Sequence, residues 1–103
     1  MSEPAKNKLP RLSSIETLIL ELLSNHQELY GLEMVKVSKG KLRRNTVYLT
    51  LSRMEKKGFV TSREVEGLGQ GPARIVYRMT RTGARVLSAW RAAWATFASG
   101  EQA

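Results

Sequence analysis

Few side chains in this sequence are suited to bond-making chemistry. His26 is the single histidine, cysteine is absent, and all nine acids are glutamate. That composition removes disulfide frameworks, zinc fingers, iron–sulfur clusters and thiol catalysis together. A lone histidine also leaves nothing from which to build a Ser/His/Asp relay or a metal site, so neither an enzyme nor a cofactor is expected. His26 sits in Ser24-Asn25-His26-Gln27, where the hydrophobic period breaks, and reads as a solvated turn residue. Gly67-Leu68-Gly69-Gln70-Gly71 alternates glycines but lacks the spacing of a phosphate-binding fingerprint, and a strand rather than a helix follows it. A different chemistry is better supplied. Arg43, Arg44, Asn45, Thr46, Ser52, Arg53 and Lys56 set long cations beside short amide and hydroxyl groups, the mixture that contact with phosphates and base edges requires.

The charge distribution agrees. In 103 residues, 17 are basic and 9 acidic, a formal net charge of +8, which points to a polyanionic partner, either nucleic acid or an acidic membrane surface. Residues 36–91 hold fourteen basic residues against three Glu, net +11, whereas residues 1–35 carry −2 and residues 92–103 carry −1. No apolar run approaches the roughly 18 residues of a membrane helix, and residues 1–12 lack the apolar centre of a signal peptide. A soluble cytoplasmic protein without a membrane partner is expected. With 42% apolar residues, the chain can close one small core.

The elements that must position these groups can be read from periodicity. Residues 1–11 contain two prolines and no period, and read as a flexible arm. Ser13 and Glu16 form a capping box, after which Ile15, Leu18, Ile19, Leu22 and Leu23 mark the buried face of a helix over about 14–24. A shorter helix over about 30–38 is expected to bury Leu32 and Val35, with Met34 or Tyr30 at its edge. Asn45 is a suitable N-cap for a third helix that stops at Gly58. At 100° per residue its core face is Val47, Leu51 and Met54, and its outer face is Asn45, Leu49, Ser52 and Lys56, with Thr46 and Arg53 on one flank and Tyr48 on the other. Residues 59–65 and 72–79 read as an antiparallel hairpin around the glycine-rich loop. Thr80 caps a last helix running to Ala98, along which Val86, Leu87, Trp90, Ala93, Trp94 and Phe97 form an apolar stripe.

Helix, helix, helix, hairpin, helix, with the third helix basic on its outer face, is the layout of a winged helix-turn-helix. The fold class is mainly α with a small β-hairpin, extended by a C-terminal dimerisation helix. The corresponding divisions are a flexible arm (1–11), a DNA-binding domain (12–80), a dimerisation helix (81–98) and a tail (99–103). The third helix would enter the major groove, and a hairpin wing would lie over the neighbouring backbone or minor groove. Arg43, Arg44, Asn45, Thr46, Tyr48, Ser52, Arg53 and Lys56 are the candidate reading residues. Arg63 and Arg74 would flank the wing tip and grip phosphates.

The sequence resembles the PadR-type transcriptional regulators, bacterial winged-helix repressors of the short, single-domain kind. The resemblance runs from about Leu12 to Trp94 and is carried by Ile15-Glu16-Thr17-Leu18-Ile19-Leu20, Leu29-Tyr30-Gly31-Leu32-Glu33-Met34 and Thr46-Val47-Tyr48. It continues through Arg53-Met54-Glu55-Lys56-Lys57-Gly58-Phe59-Val60, the stretch from Gly71 to Thr80, and Gly83. Asn45 and Leu49 replace a Gly and a Pro usual in the family, and the segment between the second and third helices is short, so the operator sequence does not carry over. The resemblance implies double-stranded DNA and a second copy of the chain as partners, with Val86, Leu87, Trp90, Trp94 and Phe97 at the dimer interface. Leaving that stripe wet would also forgo roughly 1.5–3 kcal/mol for each large apolar side chain. Some members of the family bind aromatic molecules between their C-terminal helices, so a small aromatic effector stacked on Trp90 and Trp94 is a further implied partner, with Arg91 and Thr96 the nearest polar groups. The expected function is a sequence-specific repressor acting as a homodimer on a near-palindromic operator. The alternative is a winged-helix protein-interaction module, for which an exposed Leu49 is the best support.

Overall fold

Glu16 shows how the chain starts its first helix and ties it to the rest of the fold. In the computed structural model, which describes residues 10–66 and 74–102 and the side chains of the last helix as far as Thr96, helix α1 spans Ser14–Asn25. Ser13 Oγ accepts the Glu16 N–H at 3.1 Å, and Glu16 Oε1 accepts the Ser13 N–H at 2.9 Å, completing the expected capping box. The other carboxylate oxygen, Oε2, accepts from Lys57 Nζ at 2.8 Å, joining the start of α1 to the end of the third helix. Burial pushes the buried Glu16 carboxyl up, but the Lys57 ammonium and the Ser13 N–H outweigh it, and the pKa falls below its ordinary 4.5. The buried face of α1 includes Leu20 as well as Ile19 and Leu23, while Ile15, Leu18 and Leu22 pack partly buried against the core.

The second helix turns a different face inward from the one the sequence suggests. Strand β1 (Leu29–Tyr30) leads into α2 (Gly31–Val37). Gly31, Met34 and Ser38 are buried and Val35 is half-buried, whereas Leu32 is 42% exposed. These inward positions follow the i, i+3, i+4, i+7 rule, but a glycine and a serine disguise it. Ser38 is buried at no polar loss because its Oγ donates to the Val35 carbonyl at 2.8 Å and accepts the Leu42 N–H at 2.9 Å. Lys39 (φ 55°) and Gly40 (φ 92°) then reverse the chain in the left-handed region, which permits a short connection.

Helix α3 spans Arg44–Lys56, starting two residues earlier than a cap at Asn45 would give. Its N-cap is Arg43, with no side-chain cap, so Asn45 lies inside the first turn rather than capping it. Val47, Leu51 and Met54 are fully buried as expected. Gly58, at φ 83°, ends the helix as read from the sequence and turns the chain into β2 (Val60–Val65), which pairs antiparallel with β3 (Arg74–Met79) from Val60↔Met79 to Val65↔Arg74. The hairpin gains a third strand: β1 pairs with the other edge of β3 through Leu29↔Tyr77 and Tyr30↔Val76, in the order β1-β3-β2. The glycine-rich loop, residues 67–73, lies outside the described residues, as does the arm before Pro10.

Thr80 begins the last helix as expected: its Oγ1 accepts the Gly83 N–H at 2.9 Å and donates to the Gly58 carbonyl at 2.5 Å. Helix α4 (Arg81–Gln102) continues beyond the end expected at 98. Val86 and Leu87 join Ile19, Leu20, Val47, Leu51, Phe59 and Tyr77 in one core. Among the described residues the fold is thus four helices with a three-stranded antiparallel sheet.

Candidate nucleic-acid interface

The face of α3 opposite Val47, Leu51 and Met54 is solvent-facing throughout. Asn45, Thr46, Tyr48, Leu49, Ser52, Arg53 and Lys56 are all exposed, as are Arg43 and Arg44 at its entry. Among the described residues, Arg43, Arg44, Arg53 and Lys56 form no ion pair. The single acid on α3, Glu55, accepts a hydrogen bond from Ser62 on β2 at 2.8 Å. Asn45, released from capping, is exposed in the first turn. Leu49 stands 55% exposed within this polar face.

Tyr48 is 43% exposed and lies across the start of α2, against Gly31. From there a cleft of about 530 Å³ opens between α2 and the start of β3, lined by Tyr30, Leu32, Lys36, Tyr48, Arg74 and Ile75 among others. The guanidinium of Arg74 lies over the Tyr30 ring at 5.4 Å from its centroid, a cation–π contact that holds it at the cleft wall. The structure therefore brings Tyr48 and Arg74 together on one cleft beside the α3 face.

Arg63 is placed differently from the sequence reading. It pairs across the sheet with Val76, two residues below the closing pair Val65↔Arg74, so it does not flank the wing tip. Its Nη2 donates to Glu28 Oε1 at 2.8 Å and its Nε to Oε2 at 3.2 Å, a two-point grip on one carboxylate. Nothing in local spacing reveals that pair, because its members are brought together only by the flanking of β3 by β1 and β2. Behind α3, Tyr77 is buried; burial and the nearby Glu55 charge push its phenol pKa up, so it stays neutral.

The residues assigned to dimerisation divide into two groups. Val86 and Leu87 are buried within the protomer's own core, so the stripe available to another chain starts further along α4. Trp90 is half-buried and its Nε1 donates to the Pro10 carbonyl at 2.8 Å. Trp94 is 67% exposed, and the Phe97 side chain lies outside the described residues. A smaller cleft of about 260 Å³ runs beside Trp90 and Trp94 against α1. At its edge Arg91 is tied to Glu21, which occupies one of the two polar groups read as nearest to an effector. Among the described residues no helix is long and apolar enough to cross a membrane.

Comparison with known proteins agrees with this architecture. The sequence profile of the transcriptional regulator PadR-like family matches residues 19–89. A PadR family transcription regulator from hypervirulent Clostridium difficile is 27% identical, with a TM-score of 0.75 over 87% of this chain and 96% of that one. A PadR family transcriptional regulator from Eggerthella lenta is 31% identical, with a TM-score of 0.69 over 84% of this chain and 79% of that one. Bacillus subtilis PadR, solved in complex with operator DNA, shares the fold at 23% identity, with a TM-score of 0.70 over 79% of this chain and 48% of that one. A search of curated proteins found no match.

Proposed function

The chain belongs to the PadR-like family of transcriptional regulators, and from that premise we propose that it binds double-stranded DNA sequence-specifically through the outer face of α3. An α-helix with its side chains is about 10–12 Å across and fits a major groove about 12 Å wide. Asn45 and Arg53 would meet base edges there, while Arg43, Arg44 and Lys56 would neutralise flanking phosphates, with Thr46, Tyr48 and Ser52 making shorter contacts. The observation that carries this reading is a helix face whose cations have no carboxylate partner among the described residues. A phosphate can reach them without displacing a carboxylate of the described residues.

Residues 12–80 form the DNA-binding unit in this reading, and α4 joins two copies through its exposed end, where Trp94 projects. A two-fold dimer would set two reading helices about one DNA turn apart, on a near-palindromic operator. Occupying such an operator blocks transcription, so the protein acts as a repressor in the cytoplasm. The cleft beside Trp90 and Trp94 would be the place for an aromatic effector to act on the dimer. The operator complex of the Bacillus subtilis protein supports the DNA reading by analogy of fold.

Leu49 supports a second reading, in which the α3 face docks on a partner protein. In the DNA reading the same side chain meets a thymine methyl. Selection of bound duplexes from a random pool, with the mass of the complex measured alongside, tests both. Enrichment of one near-symmetric motif bound by two chains is expected. No enrichment, or no duplex binding at physiological salt, overturns the DNA reading.

A further inference from the structure

Two glycines sit where a side chain would collide with a neighbour, and the collisions are of different kinds. A Cβ at Gly83 would lie 2.2 Å from the carbonyl oxygen of Phe59, which is backbone at the turn between α3 and β2. A Cβ at Gly31 would lie 2.6 Å from Tyr48 Cε1, 2.8 Å from Cζ and 3.0 Å from the hydroxyl. Carbon atoms in contact are normally about 3.5–4.0 Å apart, so neither site admits even a methyl group as it stands. Gly31 is not among the positive-φ glycines, which are Gly40 and Gly58, so its requirement is for space and not for a special dihedral.

What gives way differs between the two. At Gly83 the obstacle is a carbonyl that carries the Thr80 N–H bond at 3.0 Å, and only the junction of α4 with the β2 turn can move. At Gly31 the obstacle is the far end of a half-exposed side chain, which can leave by rotating about its own bonds. We infer that Gly31 is a positioning residue for DNA recognition: it is the seat against which the Tyr48 ring rests, and it holds that ring and its hydroxyl beside the α3 face, at the cleft shared with Arg74, from which Tyr48 makes its proposed contact. The inference rests on the proposed DNA-reading role of α3. A methyl at residue 31 would leave the fold standing and push the Tyr48 ring out of that place.

The test uses the full chain and four variants, Gly31→Ala, Tyr48→Ala, the double Gly31→Ala/Tyr48→Ala, and Gly83→Ala as the structural control. Each is read by thermal unfolding and by titration against the selected duplex and a random one. Gly31→Ala is expected to unfold close to wild type, since alanine is the better helix former, yet to bind the selected duplex about tenfold more weakly, 1.4 kcal/mol. Adding Gly31→Ala to Tyr48→Ala is expected to change affinity no further, because the ring it displaces is gone. Gly83→Ala is expected to lower the unfolding temperature. The inference is overturned if Gly31→Ala binds as wild type does, or if its loss persists undiminished in the Tyr48→Ala background. Should no duplex bind the wild type, the DNA reading fails by itself. Nuclear Overhauser contacts between the Tyr48 ring and the Gly31 α-protons then decide the seat: present in wild type and lost in Gly31→Ala supports it, absent in wild type overturns it.

Discussion

The outer face of α3 and the strands of the wing both display arginine, but they hold it in opposite ways. On α3, Arg44 and Arg53, with Lys56, stand exposed without an ion pair among the described residues. On the sheet, Arg63 is gripped at two points by Glu28, and Arg74 lies on the Tyr30 ring. A guanidinium already holding a carboxylate must surrender it to take a phosphate, and the exchange gains little, whereas an unpaired one gains the whole contact. Lys57 and Arg91 belong with Arg63, since each is tied to a glutamate of α1. The lesson is that a count of basic residues overstates what is open to a partner: Lys57, Arg63 and Arg91 each neutralise a glutamate and tie elements together, whereas the cations on the outer face of α3 do neither.

The largest test of that division is on the exposed side. Arg53→Ala is expected to weaken binding to the selected duplex by about five- to 150-fold, the range of about 1–3 kcal/mol for a good base contact, and to weaken random duplex far less. Asn45→Ala should act in the same direction, while Arg74→Ala should weaken both duplexes alike. Titrations by fluorescence anisotropy on the two duplexes check this, and identical losses for Arg53→Ala on both would break the assignment of roles. Next in size is Trp94→Ala. Truncating a large aromatic at an interface commonly costs about 2 kcal/mol or more, so sedimentation should show the dimer dissociating at roughly tenfold or greater concentration.

For cations already tied to a carboxylate the effects on DNA should be small. Arg63→Ala is expected to change duplex affinity by less than about threefold, because Glu28 already holds the charge, and Glu28→Gln should raise affinity slightly by releasing it. A large loss from Arg63→Ala would erase the distinction between the two regions. The smallest effect concerns Lys57 and Glu16. The Glu16 carboxyl has a folded pKa below its ordinary 4.5, so its contribution to stability is complete above about pH 4.5 and is lost as pH falls through the folded value. Lys57 is half-exposed, which limits this to about 1 kcal/mol or less. Chemical denaturation across pH 3–6 should show wild type losing more stability on acidification than Glu16→Gln.

What could be read from the sequence was whatever depends on local periodicity. The capping box at Ser13 and Glu16, the inner and outer faces of α3, the stop at Gly58 and the cap at Thr80 all depend on neighbours within a few residues. The features that escaped depend on neighbours brought close by the fold. Strand β1 is two residues long and shows no alternation. The inward face of α2 is carried by Gly31 and Ser38, whose burial relies on the Tyr48 ring and on the Leu42 N–H. Arg63 and Glu28 stand 35 residues apart. The α3 surface was legible as a basic, polar face, but which of the chain's cations remain available was not, because that depends on carboxylates supplied by other elements.

The most direct measurement is the salt dependence of duplex affinity for wild type and for Arg44→Gln, Arg53→Gln, Lys56→Gln and Arg63→Gln. Each cation that meets a phosphate contributes about 0.9 to the slope of log affinity against log salt concentration. A slope that flattens by about that amount for Arg44→Gln and Lys56→Gln, and stays at the wild-type value for Arg63→Gln, is the predicted result. Unchanged slopes for Arg44→Gln and Lys56→Gln, or a flattening confined to Arg63→Gln, would contradict it.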